Sequence, residues 1–314
     1  MTQPSNTFAT NDMVGIREDL AEIIYNISPV ETPFFSMVPR AEVSNTNHEW
    51  QTDTLAAAGN NAVIEGDDAT TDAATATTRL GNRTQISDKV PRVTGTARAV
   101  TTAGRADEFD YQLLKAGREL RRDVETVLLS NKAKVTGDDT TAAELAGVPA
   151  WIATNVSAAT DGSDPAGTGA DARSDGTQRD FIEDHLKEVL RECYDAGGMP
   201  DTLMLGSFNR QRFSGFSPNT NFQRAEDSVL HATFDVYMSD YGSLKVVPNR
   251  FQRGRDGLVL QSDMWAVGFL PGREFIEQPL AKTGDTDRTQ ILAEYTLEAR
   301  QEAANGIVAD LTTS

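Results

Sequence analysis

RADEFDYQLLKAGRELRRDVETVLLSNKAK, residues 105–134, carries a single apolar stripe. Phe109, Leu113, Ala116, Leu120, Val124 and Val127 recur at steps of four, three, four, four and three, the spacing of one helix face. Asp107, Glu108 and Asp110 gather at its start and Lys132 and Lys134 at its end, which complements the helix macrodipole. Gly137 follows as a residue able to take a left-handed stop. A helix over the whole stretch would be about 45 Å long. Such length with one narrow stripe predicts a spine on which other segments lie. A coiled-coil strand is the competing reading, but the stripe falls short of sustained heptads and no second such segment follows.

On the N-terminal side, residues 1–12 are polar and predict a flexible arm. Met13, Ile16, Leu20, Ile23 and Ile24 predict a short amphipathic helix over Asp12–Tyr25. SPVETPFFSMVPR (28–40) follows, and its three prolines predict extended, turn-rich backbone. Phe34 and Phe35 need burial there, against the spine or against another subunit. Between Glu42 and Thr102 lie 13 threonines and two alternating segments, His48–Thr54 and Val90–Val100, around an Ala/Thr/Asp-rich tract. This reads as a long two-stranded excursion with a polar tip. An isolated hairpin is marginally stable in water, so its natural partner is a surface on another copy.

Beyond the spine, LAGVPAWIATNV (145–156) offers Leu145, Val148, Trp151 and Ile152 as an apolar cluster. Residues 157–178, rich in Gly, Ser and Asp, predict a linker and the domain boundary. Next come a helix over Asp180–Tyr194 stopped by Gly197-Gly198, a buried strand Thr202–Leu205, and a short helix near 208–213. A hairpin Asp235–Val247 around Asp240-Tyr241-Gly242, a strand Gly257–Gln261 and the apolar run Trp265–Leu270 follow. Gln290–Leu311 alternates at first, through Ile291, Ala293, Tyr295 and Leu297, and predicts a strand returning to the spine. This order of elements is α+β.

Composition narrows the function. Hydrophobic residues make up 39% and aromatics 7%, low enough that parts of the 314-residue chain lack a core of their own. Lys plus Arg number 29 against 47 Asp plus Glu, a net charge of −18 with no basic patch, which argues against tight or sequence-specific nucleic-acid binding. Cys193 stands alone, so no internal disulfide or cysteine-based metal cluster is available; beside Leu190 and Tyr194 it reads as an inert core thiol. No apolar run reaches membrane-spanning length and no signal segment opens the chain, so synthesis in a cytoplasm is expected. His48, His185 and His231 fall in separate regions without a local catalytic signature. His185 and Cys193 share a helix but lie about 12 Å apart along it, too far to act as base and nucleophile. Phosphate-loop, zinc-protease and nucleophile-elbow motifs are absent. Glu119, Asp123 and Glu125 alternate with Arg118, Arg121 and Arg122 and predict a solvated or subunit-facing charged surface. No catalytic, cofactor-binding or metal-ligating set is expected, and no enzyme.

Six stretches in order resemble one family: VETPFFSMV, NRTQISDKVPRVTGTARAV, AGRELRRDVETVLLSNKA, LAGVPAWIATN, YGSLKVVPNR and LAKTGDTDRTQILAEYTLE. The resemblance is to the major capsid proteins of tailed bacteriophages with the Hong Kong 97-type fold. It implies an N-terminal arm over 1–45, an extended E-loop over 46–102, and a peripheral domain with its spine helix over 103–178. It further implies an axial domain over 179–280 and a return to the peripheral domain over 281–314. By the same resemblance the chain self-assembles into pentamers and hexamers of an icosahedral head enclosing double-stranded DNA. A portal and a decoration protein are the further partners, with no cofactor and no membrane, and the protein resides in the virion. Phe34, Phe35, Trp50, Arg118, Arg121 and Arg122 are the expected inter-subunit contacts. The family pattern leads one to expect an arginine soon after Phe269-Leu270-Pro271. The lysine–asparagine crosslink of the fold's namesake has no evident place here: Lys89 is the only lysine of the excursion, and nothing marks an asparagine partner. The alternative is an encapsulin-like cellular shell protein.

Overall fold

A computed structural model describes residues 31–68, 74–100, 107–216 and 235–314. The helix expected over Asp12–Tyr25 and His231 lie outside them. Helix α1 (Pro33–Met37) and strand β1 (Arg40–Glu42) come first, then β2 (Asn47–Thr52) and β3 (Thr78–Arg83), which pair only with each other. Strands β4 (Gln85–Lys89) and β5 (Arg92–Thr94) lead into a one-turn helix, α2 (Gly95–Ala99), and the spine is α3 (Glu108–Leu128). After it come β6 (Val156–Ser157), α4 (Glu183–Asp195), β7 (Thr202–Leu205), α5 (Ser207–Ser214), β8 (Asp235–Ser239) and β9 (Gly242–Pro248). The chain closes with β10 (Gly257–Leu260), β11 (Trp265–Phe269), β12 (Ile276–Pro279), the 14-residue β13 (Thr286–Ala299) and β14 (Gly306–Val308).

The spine starts as its sequence dictates: the Asp107 carboxylate accepts the Phe109 N–H, and Glu108 and Asp110 occupy the first turn. It stops earlier than expected, after 21 residues or about 32 Å. Neither Lys132 nor Lys134 lies in the last turn, and Gly137, at φ 73°, turns the chain well past the helix end. Long-range packing ends it. The 145–152 tract crosses that end so closely that a Cβ on Gly147 would collide with the Ser130 carbonyl. Ala116, Leu120, Val124 and Leu128 form the buried face, with Leu120 and Val124 fully enclosed.

That face lies on a six-stranded sheet whose centre is β13. One edge of β13 holds β11 and β12 antiparallel; the other holds β4 and β5 antiparallel; β1 joins parallel to β11. Ile291, Ala293, Tyr295 and Leu297 alternate toward the spine and are buried with it, as their period of two predicts. The second six-stranded sheet runs β6-β14-β10-β7-β9-β8. Its two central strands, β10 and β7, are buried at every position because both faces are covered. Met204, Leu258, Leu260 and Ile307 face the spine's core, whereas Leu203, Leu205, Val259 and Val308 face α4 and Phe213 of α5.

Four expectations are corrected. Pro33 occupies the first helical position of α1, where its missing N–H costs nothing, so the segment holds a helical turn rather than extended backbone. Val90–Val100 is not one strand: Pro91 interrupts it, β5 is brief, and the Thr94 hydroxyl caps α2 by accepting the Ala97 N–H. The partner of β2 is instead Thr78–Arg83. Residues 157–178 are not a loose linker. Asp161 accepts from Thr177 N and Oγ1, Asp310 from Gly176 N, and the Arg173 side chain is buried against Asp164.

Candidate assembly elements

Two elements are fastened to the body by long-range contacts: the β2–β3 hairpin and helix α1. The hairpin's six register pairs run from Asn47↔Arg83 to Thr52↔Thr78. Its root is fixed by Asn82, fully buried, which donates to the Leu297 carbonyl (2.8 Å) and accepts the Ala146 and Arg83 N–H groups. Trp50 lies half-buried with its ring 5.2 Å from Trp151, and His48 Nε2 pairs with Glu298 at 2.9 Å. The hydrogen bond from His48 holds the Glu298 carboxyl below the usual range. Lys134 completes the root. Its ammonium donates to the Gly81 carbonyl (2.6 Å) and to that of Thr168 (3.0 Å), above the Trp151 ring. Burial lowers its pKa, yet three polar and aromatic contacts replace the lost water. Gly169 makes the fit possible: at φ 67° it passes so near the Trp151 ring that a side chain there would clash.

Beyond Thr52 the described chain is exposed and without regular pairing, and it carries large apolar side chains into solvent. Leu55, Val63 and Ile64 are 97%, 82% and 79% exposed.

The N-terminal element is rooted differently. Phe34 packs edge-on to Trp265, and Phe35 edge-on to Phe269 and Phe275. Both rings are buried in this chain's own core, packed with the spine. The guanidinium of Arg40 lies 4.2 Å above the Phe35 ring and that of Arg121 5.2 Å from it. Arg118 and Arg121 are exposed and Arg122 half-buried on the spine's outer side. Lys89 pairs with Asp123 at 2.7 Å, tying β4 to the spine. Glu125, expected on this charged face, instead points inward and is fully buried. Its oxygens accept the N–H groups of Phe34 and Phe35, each at 2.8 Å, and the Asn249 side-chain amide at 2.6 Å. Burial raises its pKa, opposed by those three donors and by Arg121. A helical step from Val124 was the only available sequence signal.

The chemistry-bearing side chains do not converge. Cys193 is buried on α4 and its thiol is pushed up to about 12 by burial. His185 lies against Arg179, remote from it. Among the described residues no group of three His, Cys, Asp or Glu side chains is placed to hold a metal, and no helix is long and apolar enough to cross a membrane.

A family model described as SU10 major capsid protein matches residues 2–312. The chain belongs to that family. It is a major capsid protein of a tailed phage, and copies of it form the capsid shell. The major capsid protein of Escherichia phage Phieco32 is 29% identical to this capsid protein, across 96% of each chain. Among solved structures, the cyanophage A-1(L) capsid asymmetric unit superposes with a TM-score of 0.60 at 13% identity, covering 98% of this chain and 99% of that one. The encapsulin of the holo-SrpI complex from Synechococcus elongatus PCC 7942 gives 0.55 at 11% identity, over 93% and 94%. The fold is the Hong Kong 97-type capsid fold, α+β as its order of elements requires.

Proposed function

We propose that this capsid protein closes into pentamers and hexamers of an icosahedral head that encloses double-stranded DNA. The hairpin beyond Thr52 is the contact that each copy lays on the next. The observation that carries this is the exposure of Leu55, Val63 and Ile64 on a segment with no body of its own. Three large aliphatic side chains held in water are covered at a gain when another copy supplies the surface, roughly 1.5–3 kcal/mol for each one fully buried. Head-to-tail contacts that close by rotation make rings, and long reaching segments bury area without a large core in each subunit. Residues 1–45 serve as the arm, 46–102 as the E-loop, 103–178 with 281–314 as the peripheral domain and 179–280 as the axial domain. Trp50 at the hairpin root and Arg118, Arg121 and Arg122 on the spine face neighbouring copies. The charge of −18 suits a wall around a polyanion that has to leave again. A portal and a decoration protein are the further partners, and the subunit is made in the host cytoplasm.

Changing Leu55, Val63 and Ile64 together to serine tests the assignment. The variant is expected to stay soluble and to melt as the parent subunit does, while sedimentation and electron micrographs show no closed shells. Normal shells from the triple variant would refute the hairpin contact. The encapsulin-like alternative, supported by one structural neighbour, predicts particles loaded with a protein cargo instead of DNA.

A further inference from the structure

The carboxylate of Glu125 ties together three segments distant in sequence. Helix α1 lacks a local cap, because the Thr32 side chain makes no capping bond and Pro33 has no N–H to satisfy. The first free N–H groups of α1 are those of Phe34 and Phe35. Glu125 accepts both from a distance of 91 and 90 residues. The oxygen that takes Phe34 N–H also takes the Asn249 side chain, which lies just past β9. Asn249 is itself held rigidly: its N–H donates to the Leu205 carbonyl, and its Oδ1 accepts from Phe251 N–H. Among the described residues no cation forms a salt bridge with the carboxylate; Arg121, one turn away, lies toward the Phe35 ring. A buried carboxylate that accepts from three neutral donors is sensitive to each of them, since losing one leaves charge less solvated in an apolar site.

We infer that Glu125 couples helix α1 to the loop after β9, so that displacing either side loosens the other. The idea deepens the assembly reading, on which its use in the shell rests, because α1 lies in the part assigned there to the arm and Asn249 in the axial domain. The coupling itself is a property of the single subunit.

Amide hydrogen exchange on unassembled full-length protein tests it. In the parent, the Phe34 and Phe35 amides are expected to be protected at least 100-fold relative to an unstructured peptide. Glu125→Gln, which keeps one acceptor oxygen, is expected to speed both by about tenfold while the amides of Leu120 and Leu205 hold their rates. Asn249→Ala touches no atom of α1, yet is expected to speed Phe34 and Phe35 several-fold. Unprotected Phe34 and Phe35 in the parent would overturn the inference. So would an Asn249→Ala protein altered only around its own loop. If Glu125→Gln fails to fold, the parent and Asn249→Ala decide between the outcomes. Shell formation by the same proteins reads the assembly proposal separately.

Discussion

Glu125 and Asp256 are both carboxylates withdrawn from water, and their partners differ. Glu125 is met by three donors, whereas Asp256 pairs through one oxygen with Arg253 at 3.1 Å and, among the described residues, receives no hydrogen bond on the other. Burial therefore dominates and pushes Asp256 up to about 6 from its ordinary 3.8, against the pull of Arg253 and Arg173 and with the push of Asp175 and Asp310. A carboxyl raised in the folded state contributes stability that is fully present below about 3.8 and lost as pH rises through about 6. Asp256→Asn removes that titration. Urea unfolding of subunits should show the variant gaining on the parent by on the order of 2–3 kcal/mol between pH 4 and pH 7.5. An identical difference at both pH values would mean that Asp256 ionises normally.

At the scale of elements, confinement is what distinguishes the tracts that composition makes look alike. Residues 157–178 and the hairpin beyond Thr52 are both rich in small and polar residues, but the first is pinned to the C-terminal segment and to the 253–256 turn. Arg253 donates to both oxygens of Asp175 at 2.7 Å, and Arg255 donates to the Gly176 carbonyl. Limited proteolysis of subunits should therefore cut first within 53–68, with 157–178 surviving until the fold opens. First cuts within 157–178 would contradict the anchoring. The same contrast explains what sequence could reveal. The spine stripe, the strand at Thr202–Leu205 and the hairpin at 235–247 were legible because their burial repeats with the local period of helix or strand. The end of the spine, the capped turn after Thr94 and the tied-down 157–178 were not, because each is decided by a partner tens to hundreds of residues away. Glu125 was hidden for that reason. The charged residues that precede it, Arg118, Glu119, Arg121, Arg122 and Asp123, are exposed or half-buried, and only the position of α1 shows which carboxylate turns inward.

Across the whole molecule, the proposed reading has folding and assembly draw on separate residues, and two changes made in parallel test that separation. The body's core joins the spine, the sheet around β13, the 145–152 tract and one face of the second sheet into a single cluster, with Leu120 at 0% exposure. Among the described residues the hairpin adds to that cluster at its root, through Trp50, Leu80 and the Asn82 hydrogen bonds. Its last register pair is Thr52↔Thr78, so replacing residues 53–77 with Asn-Gly closes β2 onto β3 by the two-residue turn that suits strand twist. Every root contact remains, while Leu55, Val63 and Ile64 are gone. This shortened chain should melt within a few degrees of the parent, with unchanged circular dichroism, and form no closed shell. Leu120→Asp makes the opposite change: the surface is intact, but a charge enters a sealed seam at a cost of several kcal/mol. That protein should be insoluble or lose its cooperative melt. If the shortened chain unfolds and Leu120→Asp assembles, stability resides in the hairpin and not in the spine. If both fold and both assemble, neither the seam nor the reaching segment has the role its geometry implies.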